Sequence, residues 1–175
     1  MRKVVYGGAC SLDGFLAGRG GAIDWLHYSD DVKQILAKTW ANTDALLIGR
    51  KTWDFSVAAG GGGRMKGVQS YLFSRTLTAS PARGIELVRE HAGDFVRALK
   101  AAPGRDIVVM SGGNLAASLF AVGVIDEVGL NVHPLLLGSG VPAFVDAGIR
   151  VPLALEECRQ IDGGCVMLRY RVVRL

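Results

Sequence analysis

Apolar and polar positions along the chain alternate between two textures. Short continuous apolar runs are closed by glycine or hydroxyl residues, and between them lie stretches in which apolar residues recur every three or four positions. Val4 to Cys10 is a run of the first kind with β-branched and aromatic members, ended by the turn formers Ser11-Leu12-Asp13-Gly14, and predicts a strand followed by a loop. The loop continues through Gly18-Arg19-Gly20-Gly21 to Tyr28. Ser29 then stands where it caps a helix whose Val32, Ile35, Leu36 and Thr39-Trp40 share one face. Asp30 and Asp31 fall in its first turn, where the helix dipole favours them.

Ala45-Leu46-Leu47-Ile48 is a strand-length apolar run stopped by Gly49, and Arg50 to Phe55 follows as a short helix. After a flexible loop at Gly60 to Gly63, Gln69 to Phe73 is a strand stopped at Ser74-Arg75, and Gly84 to Val88 is another. Asp94 to Ala101 is a helix with Phe95, Val96 and Leu99 on one face, closed by Pro103-Gly104; Asp106 to Met110 is a buried-type strand. Ser111-Gly112-Gly113-Asn114 then turns into a helix beginning at Leu115. Ile125 to Leu137 is expected as one long strand, and Leu153 to Ile161 with Val166 to Val173 as a hairpin about Asp162-Gly163-Gly164. Strands alternating with helices demand parallel pairing in the middle of the sheet, and the hairpin adds antiparallel strands at an edge. The class is α/β with a mixed sheet. No repeat or linker divides the chain, so one domain over residues 1–175 is expected.

Composition narrows the chemistry. Half of the residues are apolar and 21% charged, which excludes a disordered chain. The 24 glycines carry no collagen period, so many positions need an unusual turn or a close backbone approach. A net charge of +4 is spread over scattered basic residues; no nucleic-acid partner is expected, and only anionic small ligands are favoured. Cys10, Cys158 and Cys165 are odd in number with no C-x-x-C pair, which speaks against a disulfide framework or zinc site and fits a reducing cytoplasm. Met1 to Tyr6 builds no signal-peptide core, and no apolar stretch has membrane-spanning length, so no membrane partner is expected.

Gly49-Arg50-Lys51-Thr52 sets a glycine turn, a basic pair and a hydroxyl at a helix start, the ingredients of an anion cradle; a plain turn with solvated side chains is the alternative. It lacks the preceding glycines of a P-loop. Ser111-Gly112-Gly113-Asn114 repeats the logic after a second strand, with tight strand-helix packing as its alternative. Two such corners at the ends of parallel strands suit one dinucleotide. Gly138 to Ala143 matches a loose G-x-G-x-x-A, but Pro142, Gly148 and Pro152 leave no room for a crossover helix, and a rim loop is expected there. His27, His91 and His133 have no metal spacing and no G-x-S-x-G accompanies them. Taken alone, Trp25, Trp40 and Trp53 read as packing residues, and Asp13 and Asp30 as turn former and cap.

The order of these segments resembles the dihydrofolate reductase fold and, more closely, the C-terminal reductase domain of the riboflavin-biosynthesis deaminase/reductase (RibD). The resemblance rests on Ser11-Leu12-Asp13-Gly14-Phe15-Leu16-Ala17, Gly49-Arg50-Lys51-Thr52, Phe73-Ser74-Arg75, Val108 to Gly113, and His133-Pro134-Leu135 to Gly140, in collinear order along nearly the whole chain. It implies a three-layer α/β/α fold, a homodimer, and NADPH as hydride donor. Gly49, Arg50, Lys51 and Thr52 would lie at phosphates and Ser74 and Arg75 at the ribose 2′-phosphate. Ser111, Gly112, Gly113, Asn114 and Leu115 would lie over the pyrophosphate and nicotinamide. On the substrate side it implies a pocket of Asp13, Trp25, Asp30 and Trp53. Asp30, five residues after Trp25, and Asp13, in the S-x-D-G segment, compete there as catalytic acid. The absence of a preceding deaminase segment and the Gly60 to Gly63 loop depart from the pattern, so the substrate is expected only as a small heterocyclic or ribosyl compound. A non-catalytic module binding NADPH or a flavin nucleotide, and an oligomerisation domain with purely architectural glycine turns, are the rival expectations.

Overall fold

The computed structural model describes residues 2–62 and 65–174; Gly63 of the expected glycine loop lies outside the described residues. The elements in chain order are β1 (Val4–Ser11), β2 (Phe15–Ala17), α1 (Asp30–Ala41), β3 (Thr43–Gly49), α2 (Arg50–Ala58), β4 (Gln69–Phe73), β5 (Ile85–Val88), α3 (Ala92–Ala101), β6 (Asp106–Met110), α4 (Gly113–Ala121), β7 (Glu127–His133), β8 (Val141–Pro142), β9 (Leu153–Ile161) and β10 (Cys165–Val172). The local chemistry behaves as expected at α1, where the Ser29 hydroxyl accepts from the Val32 amide at 3.3 Å.

Eight strands form one sheet in the order β5-β4-β3-β6-β1-β7-β10-β9. The pairs β4–β5, β3–β4, β3–β6, β1–β6 and β1–β7 are parallel; β10 runs antiparallel to β7 and to β9. Alternation along each strand divides the core into two layers. On one face Val4, Tyr6, Leu47, Ile107 and Val109 pack with Val96 of α3 and Leu119 of α4. On the other, Leu46, Ile48 and Leu72 pack with Trp53 of α2 and Trp40 of α1. The result is a three-layer α/β/α molecule with a mixed central sheet and a C-terminal antiparallel hairpin.

The long strand expected over Ile125 to Leu137 is corrected to Glu127–His133. Pro134 has no amide to continue a ladder, and the following residues are drawn instead to the loop after β1: the Leu12 amide donates to the Leu135 carbonyl at 2.9 Å. The small antiparallel pair β2–β8 was not anticipated, because two- and three-residue strands are too short for a period to register.

Candidate active site

Strands β3 and β6 lie side by side and parallel, with Ile48 opposite Met110. Beyond that pair the chain leaves β3 into α2 on one face and leaves β6 into α4 on the other. Diverging connections at the carboxyl ends of neighbouring parallel strands define the crevice where open α/β sheets bind ligands. The two corners nearly touch. A side chain at Gly49 would place its Cβ 2.5 Å from the Ser111 hydroxyl, and one at Gly113 would meet Val145 at 2.7 Å. Close packing therefore accounts for both glycines, one through the facing corner and one through the segment 143–145 that rests on the start of α4.

What sets the corners apart is their electrostatics. Neither α2 nor α4 has a side chain capping its first turn, and neither carries an acid there. By contrast α1 has Ser29, Asp30 and Asp31, and α3 has Asp94. The unpaired amides and positive dipole ends of α2 and α4 are thus left for an outside anion. Lys51 and Asn114 are exposed, and Thr52 and Leu115 are half-buried. The Arg50 guanidinium is engaged by Asp54 of its own helix at 2.7 Å. Ser74 is buried and its hydroxyl accepts from the Thr76 and Leu77 amides, so it shapes the turn after β4. Beside it Arg75 is exposed at the same sheet edge.

The loops after β2 and β7 border a second feature, an open basin of about 460 Å³ lined by Arg19, Asp24, Trp25, Leu137, Gly138 and Ser139. Arg19 Nε donates to Ser139 Oγ at 2.7 Å. Asp13 binds the loop after β1 to the loop after β7: its carboxylate accepts from the Ser11 hydroxyl (2.6 Å), the Gly138 amide (2.7 Å) and the Leu137 amide (3.1 Å). The Ser11 hydroxyl foremost, then those amides, hold its pKa below the ordinary carboxylate value. Trp25 packs edge-on against His133, with ring centres 5.1 Å apart. Buried His133 accepts the His27 amide at Nε2, which leaves Nδ1 to donate toward the Asn131 carbonyl. The segment after Ser139 continues to Val141, the nearest neighbour of Gly112, so one loop borders both basin and crevice.

Two of the expected pocket residues do not line the basin. Trp53 is 5% exposed and belongs to the core beneath α2, because the face of α2 that bears it turns onto Leu46 and Ile48. The Asp30 side chain is 86% exposed and pairs with Lys33 at 2.8 Å on its own helix rather than lining the basin. Arg19, Ser139 and His133 were missed. Nothing in spacing links residue 19 to 139, which meet only when β1 and β7 pair, although the expected rim loop already contained Ser139. Among the described residues no three His, Cys, Asp or Glu side chains gather to hold a metal.

Comparison with known proteins agrees with this architecture. Residues 2–167 match the model of the RibD C-terminal domain. The uncharacterized protein YyaP of Bacillus subtilis is 28% identical, the alignment covering 97% of this chain and 95% of that protein. A crystal structure assigned to riboflavin biosynthesis in Shewanella sp. PV-4 superposes with a TM-score of 0.86 at 25% identity, covering 99% and 100% of the two chains. Dihydrofolate reductase from Enterococcus faecalis, solved with NADP(H), superposes with a TM-score of 0.71 at 12% identity over 97% and 96%. The sheet order, the paired corners and the match over residues 2–167 lead to one conclusion: the chain belongs to the RibD C-terminal domain family of reductase domains, built on the dihydrofolate reductase fold.

Proposed function

We propose that the protein is an NADPH-dependent reductase acting on a small heterocyclic or ribosyl compound, of the riboflavin-precursor or folate kind, and that it works as a homodimer in the cytoplasm. The observation that carries this reading is the pair of uncapped, acid-free helix starts at the β3–β6 crevice. A diphosphate is the group such a pair suits: the amides of Lys51 and Thr52 face it from one side and those of Asn114 and Leu115 from the other. Arg75 offers the planar fork that a ribose 2′-phosphate requires. A bound nicotinamide supplies the hydride. The chain orients both reactants and keeps water away, with Trp25 and Arg19 at the basin presenting an aromatic wall and a cation to a planar polar substrate. No helix among the described residues is long and apolar enough to cross a membrane.

One observation favours a second reading, a non-catalytic module for NADPH or a flavin nucleotide. Asp13 is clasped by three donors that favour its ionised form, and Asp30 is exposed beside Lys33; neither lines the basin. Titration with NADPH and NADH, followed by turnover assays on pterins and ribosylaminopyrimidines, separates the readings. Saturable NADPH binding with substrate-dependent oxidation supports the reductase; binding without turnover across the panel leaves the module. Arg75→Ala is expected to weaken NADPH about tenfold or more and NADH hardly at all, the cost of a charge-assisted contact. Equal losses for both would remove Arg75 from the 2′-phosphate.

A further inference from the structure

Residues 22–29, which carry Trp25 to the basin, form neither helix nor strand. Within them the Leu26 amide closes a turn on the Ile23 carbonyl at 3.1 Å, and the Trp25 indole N–H is spent on the Ala22 carbonyl at 3.1 Å. A segment of this kind keeps one shape only where other elements hold it. Two elements do. From within, His133 at the end of β7 is 2% exposed and stands in register with Ser11 at the end of β1. Its Nε2 accepts the His27 amide at 3.1 Å, two residues from Trp25, and the Trp25 ring meets the imidazole at 88°. From outside, the turn Asp162–Gly164 between β9 and β10 closes on the same residues. The Asp162 amide donates to Asp31 Oδ2 at 3.1 Å, and the Asp162 carboxylate lies 3.6 Å from His27 Nε2. Gly163 lies so close beneath the His27 ring that a Cβ there would collide with it.

We propose that His133 is the positioning residue of the basin: through the His27 amide and the ring contact it fixes Trp25 as the wall on which a planar substrate lies, with the hairpin turn as the outer jaw. This rests on the basin being the substrate site of the reductase proposed above. Leucine would fill the space beneath Trp25 as an imidazole does, so packing alone does not call for histidine. A polar ring so deeply buried is costly unless its nitrogens are bonded, and here both are engaged. The His27 amide can only donate, so Nε2 presents its lone pair and the proton stays on Nδ1, 3.3 Å from the Asn131 carbonyl. One tautomer thereby ties a loop to a strand across 106 positions of sequence. The anchor is firm because β7 is paired on both sides, with β1 and with β10. An indole held in this way is in place before a ligand arrives, and binding has less ordering to supply.

The first test needs no variant to fold. Nitrogen chemical shifts of the His133 ring in the wild-type chain are expected to show Nδ1 protonated and Nε2 bare; the reverse tautomer overturns the proposal. Three variants then separate bonding from bulk. Glutamine sets an amide oxygen near the place of Nε2, asparagine reaches only the place of Nδ1, and leucine keeps the volume alone. In His133→Leu and His133→Asn the His27 amide is expected to exchange its hydrogen about tenfold faster. The Trp25 emission, isolated by difference from Trp25→Phe, should shift to the red in the same two, while His133→Gln stays close to wild type in both measurements. With a pterin or ribosylaminopyrimidine, KM, or the dissociation constant where binding occurs without turnover, is expected to rise about fivefold in His133→Leu and His133→Asn. The value of kcat should hold within about twofold, and glutamine should restore KM. NADPH affinity is expected to stay unchanged in all three, which a general loss of structure would not allow. Glutamine that behaves as leucine reduces the imidazole to a space filler and overturns the proposal, as does a constant KM beside a shifted Trp25 emission. A wild type that neither binds nor reduces any member of the panel overturns the basin reading as well, whereas a failure confined to the His133 variants leaves that reading standing.

Discussion

Asp13 illustrates how a single residue acquires a role from its neighbours. Its tripeptide context suggests a turn, and its three donors make it the clasp between the loops after β1 and β7. Because the folded pKa is depressed, the stabilisation it contributes is present above the ordinary carboxylate value and is lost as pH falls through the lowered one. The fluorescence of Trp25, which shares the basin with Leu137 and Gly138, is expected to follow that lowered titration and to lose it in Asp13→Asn; a midpoint at the unperturbed value would refute the clasp. Gly49 is the second case. Its φ of −77° suits any residue, so the glycine answers to space alone. Gly49→Ala is expected to cost about 1–3 kcal/mol by overpacking. Ser111→Ala in the same chain should recover most of it, since Ser111 Cβ stands at 3.5 Å; a double-mutant cycle with no coupling would contradict this.

At the scale of elements, the caps carry the distinction between structure and function. Ser29→Ala removes the hydroxyl that caps the first turn of α1 at the Val32 amide and is expected to lower stability by about 1 kcal/mol in urea unfolding. The uncapped starts of α2 and α4 behave differently: NADPH at a hundred times its dissociation constant should stabilise the chain by about 2.7 kcal/mol, read as a rise in Tm. Both halves of this contrast are visible in sequence, where Ser29-Asp30-Asp31 opens one helix and Gly49-Arg50-Lys51 opens another. Element lengths are less visible. Apolar character from Ile125 to Leu137 suggests one strand, yet a ladder ends where its donors end, at Pro134, and the β2–β8 pair exists only because distant loops meet.

For the molecule as a whole, the sheet joins residues far apart in the chain, with β1 between β6 and β7 at its centre. Leu119, fully buried against that sheet from α4, is expected to cost about 2–5 kcal/mol when changed to alanine, while exposed Leu136 should cost under about 0.5 kcal/mol in the same unfolding assay. Hydrophobic periodicity, turn residues and caps determined the class, most element positions and the two glycine corners, because these depend on contacts within a few residues. Tertiary structure alone decided that the corners adjoin, that Trp53 turns inward and Asp30 outward, and that Arg19 meets Ser139 across 120 residues. Such facts follow from which strands pair and in what register, and pairing over long separations leaves no mark in local sequence.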